Sequence, residues 1–295
     1  MTVQPAHVAG IHCVLFAFFD AQGALDRGAM RAQMLAVRAM GVDGIVVLGL
    51  ATEVGKLSLA EKHTLIDWTT EDVGTLPLTA TITGNSVAEQ VELGRHAADA
   101  GSLLAILQPP SGGVANGDAL LDFFAEVGAQ LPIDLSIQNA PQYLGRGISA
   151  ADVMALRQRL PRLTHIKAEL PAVDLAAFIA AQPDSVTVLN GRGGLEMTDC
   201  LRAGARGFIV APDVAPGTLA IWRAWQAGRE TEADALYADF LPAATFGMQS
   251  LDHLATYGKR IFARRAGLTV HDRTPGLAPT PFGLSLVERY AGNRP

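Results

Sequence analysis

Apolar residues enter this chain in short runs, each set off by a glycine or by a polar helical stretch. The runs are GIHCVLF (10–16), GIVVLGL within RAMGVDGIVVLGL (38–50), PLTATIT (77–83), LLAILQ within AADAGSLLAILQPP (97–110), PIDLSIQ (132–138), LTHIKAE (163–169), SVTVLNG (185–191) and GFIVAP within LRAGARGFIVAP (201–212). Three of them share one phrase, in which a helical pattern stops at a Gly able to take φ > 0 and a β-rich run begins within a few residues. Between runs lie helical patterns: SLAEKHTLIDWTTEDV (58–73), with Ser58 as N-cap and Glu61 three residues on as a capping box, NSVAEQVELGRHAADAG (85–101) and GDALLDFFAEVGAQL (117–131). Eight strands, apolar on both faces and alternating with helices, predict an α/β chain closed as a (βα)8 TIM barrel. An open doubly wound sheet would call for a Gly-rich phosphate turn after the first strand, and LFAFFDAQG has none. Past the eighth run the text is helical again. Residues 1–225 are therefore expected to form the barrel, and 226–295 a C-terminal helical extension packed on it as part of one unit.

The bulk properties agree with a single large core. The chain has 295 residues, 49% of them hydrophobic and 18% charged, which excludes a disordered protein. A net charge of -6 argues against nucleic acid and points to a small-molecule partner. Cys13 and Cys200 stand far apart with no C-x-x-C spacing and H-E-x-x-H is absent, so neither a disulfide framework nor a metal is expected. No apolar run is long enough to span a membrane, and the N-terminus lacks a basic leader. These features predict a cytoplasmic protein with no membrane partner and no cofactor.

Positive charge is written unevenly, with four lysines (Lys56, Lys62, Lys167, Lys259) against nineteen arginines. One of the four lies in a strand. In THIKAEL (164–170), strand parity puts His165, Lys167 and Glu169 on one face and Thr164, Ile166 and Ala168 on the other. The apolar face suits the helix layer, which leaves the polar face inside the barrel near the C-terminal strand ends, where barrel active sites are built. A poorly solvated amine gives up its proton more readily than a solvated one, the condition for attack on a carbonyl. The same spacing also fits a structural ion pair between Lys167 and Glu169. Likewise GRGG (191–194) reads either as a phosphate turn or as an ordinary strand-to-helix turn.

With a lysine closing strand six and G-x-x-x-E after strand two, the chain resembles the dihydrodipicolinate synthase / N-acetylneuraminate lyase family of class I aldolases. The likeness runs from GVDGIVVLGLATEVGKLSLAEK through GNSVAEQVELGRHAADAG and LPIDLSIQNAP to GARGFIVAPDVAP. The resemblance implies a homo-oligomer, tetramer or dimer, acting on a 2-oxo acid, with Lys167 as the Schiff-base nucleophile. It also implies carboxylate binding by the strand-two loop, where the family's two hydroxyl positions are Leu50 and Ala51 here and Thr52 is a further donor, with Gly191 framing the same end of the substrate. Three departures stand out. Gln138-Asn139-Ala140-Pro141 replaces Tyr-Asn-x-Pro, the tyrosine expected after strand four is absent from PPSGG, and the arginine that synthases carry after strand five is replaced by QYLG, with Tyr143 near its place. An amide cannot serve as a base. Gln138 can orient a hydroxyl, and Glu169, on the lysine's face, can act as acid and base. That pair resembles the L-2-keto-3-deoxyarabonate dehydratase branch of the family, which expels water from a 2-keto-3-deoxy sugar acid. The alternatives are an aldolase on the same imine and a catalytically disabled 2-oxo-acid binder.

Overall fold

The computed structural model describes residues 8–292. Eight strands alternate with helices: β1 (Gly10–Val14), α1 (Arg27–Met40), β2 (Gly44–Val47), α2 (Leu59–Asp72), β3 (Leu78–Ile82), α3 (Val87–Asp99), β4 (Leu104–Leu107), α4 (Asp118–Gly128), β5 (Asp134–Asn139), the short α5 (Pro141–Leu144), α6 (Ala150–Arg159), β6 (Leu163–Ala168), α7 (Ala172–Ala180), β7 (Thr187–Asn190), α8 (Met197–Arg202), β8 (Gly207–Val210) and α9 (Ala215–Gln226). All eight strands pair in parallel in sequence order, and β8 closes on β1 from Gly207 against Gly10 to Val210 against Cys13. Ile45, Val46 and Val47 are wholly buried, as a parallel strand covered on one face by helices and on the other by barrel filling requires.

Local chemistry sets the helix ends. Ser58 accepts from the Glu61 amide and the Glu61 side chain returns to the Ser58 amide; Ser149 and Asp152 repeat this capping box on α6. Helix α1 stops at Gly41, whose φ of 78° lets its N–H close back on the Arg38 carbonyl.

Four further helices follow. α10 (Glu230–Gly247) packs along α9, and a rod capped by Ser250 runs through α11 (Leu251–His253), a π turn (Leu254–Gly258) and α12 (Lys259–Ala266). α13 (Pro281–Gly292) covers the rod's outer side through Phe246, Tyr257, Ile261 and Val287. The rod is anchored on the barrel by Phe262, whose ring meets Phe16 and Phe18 at centroid distances of 6.5 and 6.4 Å. Burying that side chain contributes roughly 2–3 kcal/mol. The rod thereby lies across the C-terminal ends of the strands. Among the described residues no helix is long and apolar enough to cross a membrane.

Candidate active site

Strand six delivers its polar face to the barrel mouth. The Glu169 amide donates to the Asn139 carbonyl at 2.8 Å, so the ladder continues one residue past β6 and the side-chain alternation holds through Glu169. Lys167 pairs in register with Gln138 on one side and Leu189 on the other. Lys167, Glu169 and Gln138 are all buried, at 4%, 2% and 0% exposure, which sets them apart from the solvated ion pairs of the surface. Lys167 Nζ lies 2.9 Å from Glu169 Oε1, and Gln138 Nε2 donates to the same oxygen at 2.6 Å. Two donors converging on one oxygen fix the carboxylate against the amine. Gln138 Oε1, the other end of that amide, is buried and has no partner among the described residues, leaving an acceptor for a hydroxyl.

The next shell of the site comes from residues flanking β5 and β7. Asn139 exchanges hydrogen bonds with the Ile148 backbone at 2.9 and 3.0 Å and so pins the loop that carries Tyr143. Burial, and then the Glu169 carboxylate, raise the Tyr143 phenol above its ordinary value, while the Arg192 guanidinium works the other way. Arg192 is bound to Glu196 and keeps a buried Nε without a partner among the described residues. Sequence reading placed Tyr143 only by its distance from the strand-five motif and passed over Arg192; the side chains that would mark them as neighbours of Glu169 come from separate strands.

Gly191 holds its place for a steric reason. A Cβ there would stand 2.7 Å from Lys167 Cε and 2.9 Å from Glu169 Cγ, closer than carbon atoms approach. Gly193, with φ of 62°, faces Met248 at 2.5 Å in the same sense. Gly191 and Gly193 of GRGG are thus used for close approach to the lysine and to the C-terminal segment.

Leu50 and Ala51 line a cavity of about 30 Å³ above Lys167, closed on the other side by Met248, Leu251 and Leu254 of the C-terminal segment. The turn Leu50–Thr52 makes its own hydrogen bonds from the Thr52 amide onward, so the Leu50 and Ala51 amides precede them. Thr52 differs from the sequence expectation. Its hydroxyl is fully buried and donates to the Leu15 carbonyl at 2.6 Å, so the turn is tied to the residue just after β1 by the group that was expected to face a substrate. Wider hollows lie over α2, α3 and α4, about 740 Å³, and beside α9 and α10, about 560 Å³, the second bordered by Asp213 and Val214 just past β8. Among the described residues no three His, Cys, Asp or Glu side chains are placed to hold a metal ion.

The dihydrodipicolinate synthetase family model matches residues 7–255, most of the chain. The chain belongs to that family. Among curated relatives of this dihydrodipicolinate synthetase family member, the 4-hydroxy-tetrahydrodipicolinate synthase of Methanothrix thermoacetophila is 28% identical over 237 residues, 79% of each chain. That of Ralstonia nicotianae is 28% identical over 198 residues, 66% of each. Among solved structures, a putative dihydrodipicolinate synthetase from Pseudomonas aeruginosa superposes with a TM-score of 0.90 at 22% identity, covering 96% of this chain and 98% of that one. YagE, a prophage protein of the dihydrodipicolinic acid synthase family from E. coli K12 solved in complex with pyruvate, gives 0.88 at 21% identity over 96% and 97%. These structures share the fold. Family members are lyases working through a lysine Schiff base on small 2-oxo acids, and this chain is an enzyme of that class.

Proposed function

We propose that the protein is a dehydratase of 2-keto-3-deoxy sugar acids, converting L-2-keto-3-deoxyarabonate to 2,5-dioxopentanoate (α-ketoglutarate semialdehyde) and water. The observation that carries this reading is the Gln138–Glu169–Lys167 hydrogen-bonded set, in which an amide incapable of proton transfer steers a carboxylate onto the amine.

The chemistry follows from that set. Lys167 attacks C2 of the keto acid, and the carbonyl oxygen leaves as water to give a protonated imine. Glu169 accepts the proton that the amine sheds and hands it to the departing oxygen, which restores the carboxylate. The imine acidifies C3, from which Glu169 takes a proton to form the enamine. The enamine electrons then expel the C4 hydroxyl, which departs as water with the proton that Glu169 returns. Gln138 Oε1 accepts from that hydroxyl's neighbour or from the hydroxyl itself and holds it in line. Loss of a C5 proton and gain of one at C3 turn the conjugated imine into a C4–C5 enol, which gains a proton at C4 and loses its hydroxyl proton to become the aldehyde, and hydrolysis frees Lys167. The Leu50 and Ala51 amides take the substrate carboxylate, and Gly191 leaves room for C1 and C2 beside the lysine.

A retro-aldol outcome needs a base on the C4 hydroxyl, and the family's strand-five tyrosine is Gln138 here. The observation that favours this second reading is Tyr143, a phenol under the influence of Glu169. Incubation with 2-keto-3-deoxypentonate separates the two: the five-carbon semialdehyde supports dehydration, and pyruvate with glycolaldehyde refutes it. The same reading expects a cytoplasmic homo-oligomer, dimer or tetramer, which light scattering on the purified protein checks.

A further inference from the structure

Three of the four lysines sit on two buried carboxylates, Lys167 on Glu169 and the pair Lys56 and Lys259 on Glu53. The second cluster is not part of the chemistry described above. Glu53 follows the cavity-lining turn directly and adopts a left-handed φ of 56°, a conformation non-glycine residues rarely hold. Its amide closes the turn on the Leu50 carbonyl at 3.0 Å. Its side chain, 6% exposed, is bonded by Lys259 on one oxygen and by Lys56 on the other at 2.6 Å. Lys259 is 1% exposed, with its ammonium over the Phe19 ring at 5.4 Å. It is the first residue of α12, immediately after the π turn that supplies Leu254 to the cavity. Lys56 also donates to the Arg273 carbonyl at 2.8 Å, and Arg273 stacks on the same Phe19 ring at 4.0 Å.

The two walls of the Lys167 cavity are therefore joined at one buried charge. Leu50 and Ala51 form one wall, two residues from Glu53; Leu251 and Leu254 form the other, five residues from Lys259 at the nearer end. We propose that Glu53 and Lys259 are positioning residues, a buried staple that sets the separation between the strand-two turn and the C-terminal rod and so the access and fit of a 2-oxo acid at Lys167. This rests on the reading that Lys167 forms the imine. Burial of an ion pair costs roughly as much as the attraction returns, so a net stabilising role alone is a poor account of it, whereas fixing one arrangement of two elements is a use such pairs serve. A cavity of about 30 Å³ holds little more than a water-sized group, so the separation of its two walls decides how a 2-oxo acid fits beside the lysine.

The test is reductive trapping of pyruvate on the full-length protein with borohydride, read by mass at Lys167, in the parent, Glu53→Gln, Glu53→Asp and Lys259→Met. The expected result is a rise of about tenfold or more in the half-saturating pyruvate concentration for Glu53→Gln and Lys259→Met, from misplacement of the wall, with partial rescue by Glu53→Asp. A merely structural role would lower the melting temperature and the folded fraction and leave the half-saturating concentration of the folded protein alone. Should a single variant fail to fold, Glu53→Gln/Lys259→Met leaves no unpaired charge between the two and carries the same comparison. Half-saturation within twofold of the parent in folded variants overturns the staple alone. No adduct on Lys167 in the parent overturns the imine reading and the staple with it.

Discussion

Replacing Gly191 by alanine tests the geometry around Lys167 with a single methyl group. Gly191 is not among the glycines of positive φ, so the backbone accepts alanine there and the effect is steric. The new Cβ would lie 2.7 Å from Lys167 Cε, against about 3.5 Å for carbon atoms in contact, so the lysine must withdraw by about 0.8 Å. Glu169 Cγ and Cδ, at 2.9 and 3.2 Å, block the second route of escape. A shift of that size breaks the 2.9 Å contact between Nζ and Oε1. Misplacing a nucleophile by about 1 Å costs on the order of 100-fold in rate, and the crowding itself costs about 1–3 kcal/mol of stability. The assay is kcat for dehydration, together with the rate of borohydride trapping at saturating pyruvate and Tm. Gly55→Ala is the control, since Gly55 has ordinary φ and nothing within 4 Å of its added carbon. Gly191→Ala turning over within twofold of the parent at unchanged Tm would refute the close approach that places the lysine.

Other outcomes follow from the same contacts. Glu169→Gln removes the proton carrier and keeps the shape, so kcat falls by about 10²–10⁴-fold while pyruvate is still trapped on Lys167, though more slowly; trapping slowed as much as turnover would show that Glu169 serves only imine formation. Gln138→Leu removes a donor to a charged acceptor, worth about 1.5–3 kcal/mol, or ~10–100-fold in kcat, and an unchanged rate would sink the orienting role. Asp213, buried at the end of β8, has its carboxyl raised to about 6 by desolvation, with Arg265 opposing. A folded-state value above the unfolded one means that the folded protein binds more protons between them, so this group's contribution to stability is fully present below about pH 4 and is lost as pH rises through about 6. In a Tm-against-pH series the stability of the parent relative to Asp213→Asn should fall by up to about 3 kcal/mol over that window; parallel curves for the two proteins would rule it out.

The barrel was legible because its repeated unit is local. Each strand is a short run buried on two faces and each helix carries its own cap, as at Ser58 and Gly41, so eight units could be counted without knowing any tertiary contact. Parity alone put Lys167 and Glu169 on one inner face, and the ladder bond from the Glu169 amide keeps them there. Thr52 was misplaced because whether a hydroxyl turns to a substrate or to the Leu15 carbonyl depends on β1, thirty-odd residues earlier. The roof of Met248, Leu251 and Leu254, and the bond from Lys259 to Glu53 across 206 positions, depend on how the C-terminal rod lies over the mouth, which no local pattern encodes. The scarcity of lysine and the glutamate that closes G-x-x-x-E were the traces of that second cluster in the sequence.

The most direct measurement is to quench the enzyme with borohydride during turnover of 2-keto-3-deoxypentonate and weigh the peptide that contains Lys167. The dehydratase account predicts a reduced adduct on Lys167 that keeps all five carbons and lacks one water relative to the substrate imine. A three-carbon pyruvate adduct as the accumulating species, or no adduct at Lys167, would contradict it.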